Sequence, residues 1–120
     1  MAEMRTFHES EHPWDENVPG GVMERTGGRA RRKILGDPAD GLFVTLGEYD
    51  PGIVVAPHSH NQPELMYILE GEVKVGGEPC RAGSVLRIPA NTAYGPLESG
   101  PRGVRFLVIR PGATNTAIVE

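Results

Sequence analysis

A chain of 120 residues with 12 Lys and Arg against 16 Asp and Glu, a net charge of -4 and one cysteine suits a single domain with its own core. The acidic balance argues against a nucleic-acid surface, which needs clustered positive charge. No apolar run is long enough to span a bilayer, the start MAEMRTFHESEH does not resemble an export signal, and Cys80 alone can form neither an internal disulfide nor a thiolate cluster. These features predict a cytoplasmic protein in a reducing compartment, without membrane or nucleic-acid partners.

Residues 1–28 read as an N-terminal arm and loop packed on the rest of the domain. Its first part carries Glu3, Glu9, Glu11, Asp15 and Glu16 against Arg5 alone. Phe7 and Trp14 are its only large apolar anchors, and ordering the arm would use them. His8 and His12, four apart, read as surface histidines on one helix face. Val18 to Gly28 is loop by its Gly and Pro content, with a short strand over Val22 to Arg25. The next segment, RARRKIL, alternates Arg29, Arg31 and Lys33 with Ala30, Arg32 and Ile34. It is expected as a solvated edge strand whose charge discourages pairing with other chains, with the acidic arm nearby to neutralise it.

From Gly41 onward, short apolar runs alternate with Gly, Pro, Asn and Asp. LFVTLGEY, GIVVAPHSH, ELMYILEGEVKV, SVLRIPA, the stretch around Tyr94 and VRFLVIR have strand length and composition. Residues 29–112 are therefore expected to form an all-β barrel or sandwich, with 113–120 as a C-terminal tail. Turns are expected at Glu70–Gly71–Glu72 and at Gly76–Gly77.

Chemistry concentrates in GIVVAPHSHNQPELMYILEG. Side chains alternate faces in an extended strand, so His58 and His60 share one face while Ser59 points away. Asn61, Gln62 and Pro63 are turn chemistry, and Glu64 then opens the next strand beside the histidines. Two imidazoles and a carboxylate on a hairpin make a three-ligand site with open positions, as expected for a catalytic transition metal. Iron, manganese, nickel and zinc all suit this donor set. With Glu64 inward, Met66 and Ile68 follow it, and Leu65, Tyr67 and Leu69 form an outward face too apolar for solvent. Another sheet, the arm or a second copy in a homodimer must cover it.

The series Gly52, five residues, His58, one residue, His60, three residues, Glu64, six residues, Gly71 resembles the first cupin motif without a departure. Gly83, five residues, Pro89, Asn91 and Tyr94 is similar to the second motif with two departures. Asn91 stands where glycine is usual, and Tyr94 where the last histidine ligand is usual. The likeness implies the double-stranded β-helix of cupins, a jelly-roll-like barrel around a small ligand. It also implies a divalent transition metal held by His58, His60 and Glu64.

Tyr94 then has three roles open to it: a phenolate ligand, a protonated donor to a metal-bound water or substrate, or a cavity filler. Gln62 shares the parity of the histidines and is a further candidate ligand. Arg87, in an apolar strand, points either inward to bind an anionic substrate or, as we favour, outward to solvent. Cys80 reads as a packed residue, not a nucleophile. Two functions follow from the resemblance. One is a metal-dependent enzyme, a dioxygenase, isomerase or lyase acting on a small polar or anionic metabolite. The other is a non-catalytic sensing module, like the zinc-binding cupin half of anti-sigma factors. The helical domain by which such factors grip their partner has no counterpart in this sequence, which tilts the expectation toward the enzyme.

Overall fold

The computed structural model describes residues 3–16, 23–25, 28–112 and 116–118, with the backbone alone for 23–25 and 116–118. The loop expected over 18–22 lies outside the described residues, as do 113–115 and 119–120 of the tail. Among the described residues the fold is nearly all β, with only two short 3-10 turns, Glu9–Glu11 and Pro38–Asp40.

Ten strands are described, and all their pairings are antiparallel. They are β1 (Met23–Arg25), β2 (Ala30–Leu35), β3 (Phe43–Tyr49), β4 (Ile53–Val55), β5 (His58–His60), β6 (Glu64–Val75), β7 (Glu78–Arg81), β8 (Val85–Ile88), β9 (Leu97–Arg110) and β10 (Thr116–Ile118). The long strands β6 and β9 run side by side as the spine. β9 also carries β4 and, further along, β3 followed by β2. β6 also pairs with β7 and β8. β5 pairs separately with β10.

Alternation sets the two faces. Met66, Ile68 and Val73 of β6 meet Val104, Phe106 and Val108 of β9 in the buried core, with Ala30, Ile53, Val55 and Leu97. Of the outward residues named above, Leu65 and Leu69 are half-buried and Tyr67 is exposed, as the parity of Glu64 predicts. Cys80 packs against the core with its thiol near the Glu78 carbonyl.

The turn expected at Glu70–Glu72 does not exist. β6 continues through it, with register irregularities on both sides of Gly71. Gly71 has φ 75°, and a Cβ there would overlap the Gly103 carbonyl oxygen. The glycine serves a bulge and a close backbone approach, not a chain reversal. The reversal comes at Gly76–Gly77, as expected, and returns the chain as β7.

Two short strands lie outside residues 29–112. β1 pairs with β4, and β10 lies beside the histidine strand, pairing Ile118 with His58 and Thr116 with His60. β1 is the short strand expected over Val22 to Arg25, and β10 falls within the expected tail, where three residues are too few to show a period in sequence.

The arm docks on β2, so that edge is not left to solvent. Asp15 and Arg32 exchange backbone hydrogen bonds of 2.7 and 2.9 Å. Trp14 carries the Arg31 guanidinium at 4.4 Å and the Lys33 ammonium at 4.7 Å. Lys33 is consequently buried and donates to the Glu9 carbonyl at 2.7 Å. The cations meet acids, Arg29 with Glu16, Arg31 with Glu48 and Arg105 with Glu9. His8 and His12 flank the first 3-10 turn, with His12 against the Phe7 ring.

Candidate metal centre

β5 is held on both edges. β10 pairs with one, and on the other His58 and Tyr94 exchange backbone hydrogen bonds of 3.1 and 3.0 Å while the Asn91 N–H donates to the His60 carbonyl at 2.7 Å. Asn91 has φ 57°, the left-handed conformation its replacement of glycine requires. Backbone pairing thus fixes His58 opposite Tyr94, and Glu64 follows from the bend at Asn61–Gln62.

The side chains converge. His58, His60 and Glu64 are all buried. The two imidazole centroids lie 4.9 Å apart, and the Tyr94 ring sits 4.6 Å from His58 and 6.1 Å from His60. His58 Nδ1 is 2.8 Å from the Ala56 carbonyl oxygen. A carbonyl only accepts, so Nδ1 carries a proton, and it is Nε2 that is left to bind a metal.

Glu64 has two partners. The Tyr94 hydroxyl donates to Oε2 at 2.7 Å. Arg110 donates to Oε1 through Nε at 2.9 Å and stands 2.7 Å away through a terminal nitrogen. That same terminal nitrogen lies 3.4 Å from His60 Nε2. A guanidinium has no acceptor, so His60 Nε2 faces it as an acceptor. Burial, then the Glu64 charge and hydrogen bond, push the Tyr94 hydroxyl well above the usual phenol range. It is a proton donor here, with Glu64 as its partner.

Arg110 carries no signal in a search for metal ligands. Its parity is legible: Val104, Phe106, Val108 and Arg110 share one face of β9, so the last of them enters the barrel mouth. Arg87 does the opposite, exposed on β8 opposite Leu65 on the outer face. Gln62 is half-buried in the bend. Tyr49, packed edge-on against Phe106, is a second neighbour that sequence reasoning misses. Its hydroxyl is pushed up to about 12, by burial first and by the Glu64 charge second.

The Tyr49 shift gives a pH prediction. Below about pH 10 the phenol is protonated in both states and contributes no pH dependence. Between about pH 10 and 12 the unfolded chain releases a proton that the folded chain keeps, so stability should fall by roughly 1.4 kcal/mol per pH unit. Urea unfolding over this range, with tyrosinate absorbance of the native protein, checks it. Tyr94, also held above the usual phenol range, adds a decline of its own, so Tyr49→Phe should remove the Tyr49 share and leave the rest.

The residues fit a divalent metal by chemistry and by a stand-in. Two imidazoles and a carboxylate come from one hairpin, and a cation, Arg110, already occupies Glu64 beside His60 Nε2. As they stand, no three His, Cys, Asp or Glu side chains among the described residues are set to share an ion; Arg110 and Tyr94 hold the carboxylate instead. A separate groove of about 760 Å³, lined by Glu48, Asp50, Glu72, Arg81, Arg102 and Arg105 among others, lies at the middle of β6 and β9, roughly 20 Å along the strands. Its charges partly pair with one another, Arg105 with Glu48 at 3.7 Å. No histidine lines this groove, so the donor set of His58, His60 and Glu64 stands apart from it.

A barrel of antiparallel strands with a histidine hairpin at its mouth defines a protein of the cupin superfamily. More narrowly, the chain belongs to the family described as ChrR Cupin-like domain, whose model matches residues 4–115. It is 39% identical over 101 residues to dimethylsulfoniopropionate lyase DddW of Ruegeria pomeroyi, a match covering 76% of this chain and 65% of that protein's length. In structure it is similar to the polyketide cyclase RemF of Streptomyces resistomycificus, with TM-score 0.81 and 25% identity over 98% of this chain and 87% of that one. A putative acetylacetone dioxygenase of Methylibium petroleiphilum shares the fold, with TM-score 0.78 and 20% identity over 100% of this chain and 83% of that one. No helix among the described residues is long and apolar enough to cross a membrane.

Proposed function

We propose that this chain is a metal-dependent cupin enzyme of lyase type that acts on a small carboxylate metabolite. The observation that carries the reading is the buried convergence of His58, His60 and Glu64 with a cation already seated on the carboxylate. The likeness to a dimethylsulfoniopropionate lyase supports the reaction class. His58, His60 and Glu64 would hold the metal, and iron, manganese, nickel and zinc all suit them. When bound, such an ion supplies Lewis-acid polarisation of a substrate oxygen. Tyr94 keeps its proton and donates it in a hydrogen bond at the edge of the site, which orients the carboxylate or the substrate. Met66 and Val108, next inward from Glu64 and Arg110 on their strands, are buried and apolar.

His60→Ala should weaken zinc binding by about 100-fold or more while far-UV circular dichroism stays that of the barrel, since an outer partner of a ligand alone is worth roughly 10–100-fold. Tyr94→Phe, which removes only an outer partner of Glu64, should cost less zinc affinity than His60→Ala yet lower cleavage of dimethylsulfoniopropionate or a related carboxylate by roughly 100-fold. Loss of metal in Tyr94→Phe would instead make the phenol a ligand. A second reading, a non-catalytic metal or ligand sensor, draws on the pairing of both Glu64 oxygens. It predicts metal binding with no turnover.

A second copy of the chain is the occupant we propose for the outer face of β6, β8 and β9. The arm leaves Tyr67 37%, Val85 52% and Ile109 37% exposed there, and a stable dimer would bury about 1,200–2,000 Å² in total. Light scattering at micromolar concentration should give twice the chain mass, and Tyr67→Arg should halve it. A monomeric wild type contradicts this.

A further inference from the structure

We infer that Arg110 is an exchangeable counter-ion, which holds Glu64 in the metal-free protein, gives it up to a divalent cation and then offers its guanidinium to the carboxylate of the substrate. The inference rests on the metal reading above and adds a residue that determines specificity. Three observations carry it. The guanidinium takes the Glu64 oxygen not used by Tyr94, and it lies 3.4 Å from His60 Nε2. It thus holds the position between carboxylate and imidazole that a shared cation would need, and two cations cannot both occupy that position.

Arg110 also has somewhere to go. Its side chain is 16% exposed against 2% for Glu64, so it reaches in from the mouth of the barrel. Its guanidinium carbon lies 5.7 Å from the centroid of the Phe43 ring. That ring is a ready platform for a cation released from Glu64. A planar guanidinium left at the mouth matches a carboxylate with two parallel hydrogen bonds. Metal and anion binding are thereby coupled: the anion has its partner only once the metal has taken Glu64.

The exchange makes an unusual prediction, because removing a residue at the site should tighten metal binding. A guanidinium on Glu64 for about 90% of the time weakens apparent metal affinity about tenfold, as any incompetent state does in proportion to its population. Isothermal titration of zinc into metal-stripped wild type and Arg110→Met should therefore show about tenfold tighter binding in the variant. Zinc should also raise the melting temperature of the variant by more than that of wild type. Acetate, the simplest carboxylate probe, should bind zinc-loaded wild type and bind zinc-loaded Arg110→Met at least about tenfold more weakly. Arg110→Lys, which keeps a cation, should retain zinc affinity near wild type and serves if the methionine variant does not fold.

Equal or weaker zinc binding by Arg110→Met overturns the exchange while leaving the metal site standing. So does tighter zinc binding by Arg110→Lys to the same degree. Unchanged acetate binding overturns the substrate role. Absence of zinc binding in both wild type and variant overturns the metal reading itself and the exchange with it.

Discussion

In the metal-free protein, Glu64→Ala is expected to lose about 2–4 kcal/mol of unfolding free energy, about 1.3 from the guanidinium's preference for Glu64 and roughly 1–3 from the Tyr94 hydroxyl left without its acceptor. The substitution leaves the Arg110 guanidinium, 16% exposed, without the carboxylate that compensates its burial. It also removes the acceptor of the Tyr94 hydroxyl. The part due to the guanidinium is a penalty for an unpaired charge, not the worth of the pair, so adding Arg110→Met to Glu64→Ala should recover that part and leave the part due to Tyr94. Urea unfolding of the four proteins in the cycle measures this. A loss below about 1 kcal/mol in Glu64→Ala would mean that the guanidinium turns readily to solvent, as for a surface pair.

Gly71→Ala is the second large effect, and it falls on the fold. An alanine there takes on a left-handed φ of 75°, and its Cβ overlaps the Gly103 carbonyl oxygen and lies 3.0 Å from the carbonyl carbon. The backbone term is about 1–2 kcal/mol, and forcing β6 from β9 adds roughly 1–3. The melting temperature should drop by about 10–20 °C. Gly77→Ala is the control, since φ is 86° there but no atom lies within 4 Å. It should show the backbone term alone. Equal losses at the two glycines would mean that the β6–β9 approach gives way at no cost.

The two glycines also show how far local sequence reaches. Gly76–Gly77 is a turn made by its own residues, and it reads correctly as one. Gly71 answers to Gly103, a partner 32 positions away, so the same residue type looks like a turn and is a bulge. The site divides in the same way. His58, His60 and Glu64 stand on one hairpin, where strand parity brings them together, and Asn91 declares its left-handed backbone by its type. Arg110 meets Glu64 only through the pairing of β9 with β6, and nothing near it marks the contact. Arg87, in a similarly apolar strand, is the charge that stands out in the sequence. Its strand begins one residue after Ser84, and the preceding glycine leaves its face undetermined until the pairing with Leu65 is known.

The most direct test of the central claim is the metal content of wild-type protein purified without an affinity tag or added metal. The account predicts about one iron, manganese, nickel or zinc per chain, or, if the protein emerges empty, uptake of one equivalent of zinc that His60→Ala fails to take up. Wild-type protein that is empty and takes up none of the four at roughly millimolar concentration, with its barrel intact by circular dichroism, would contradict it.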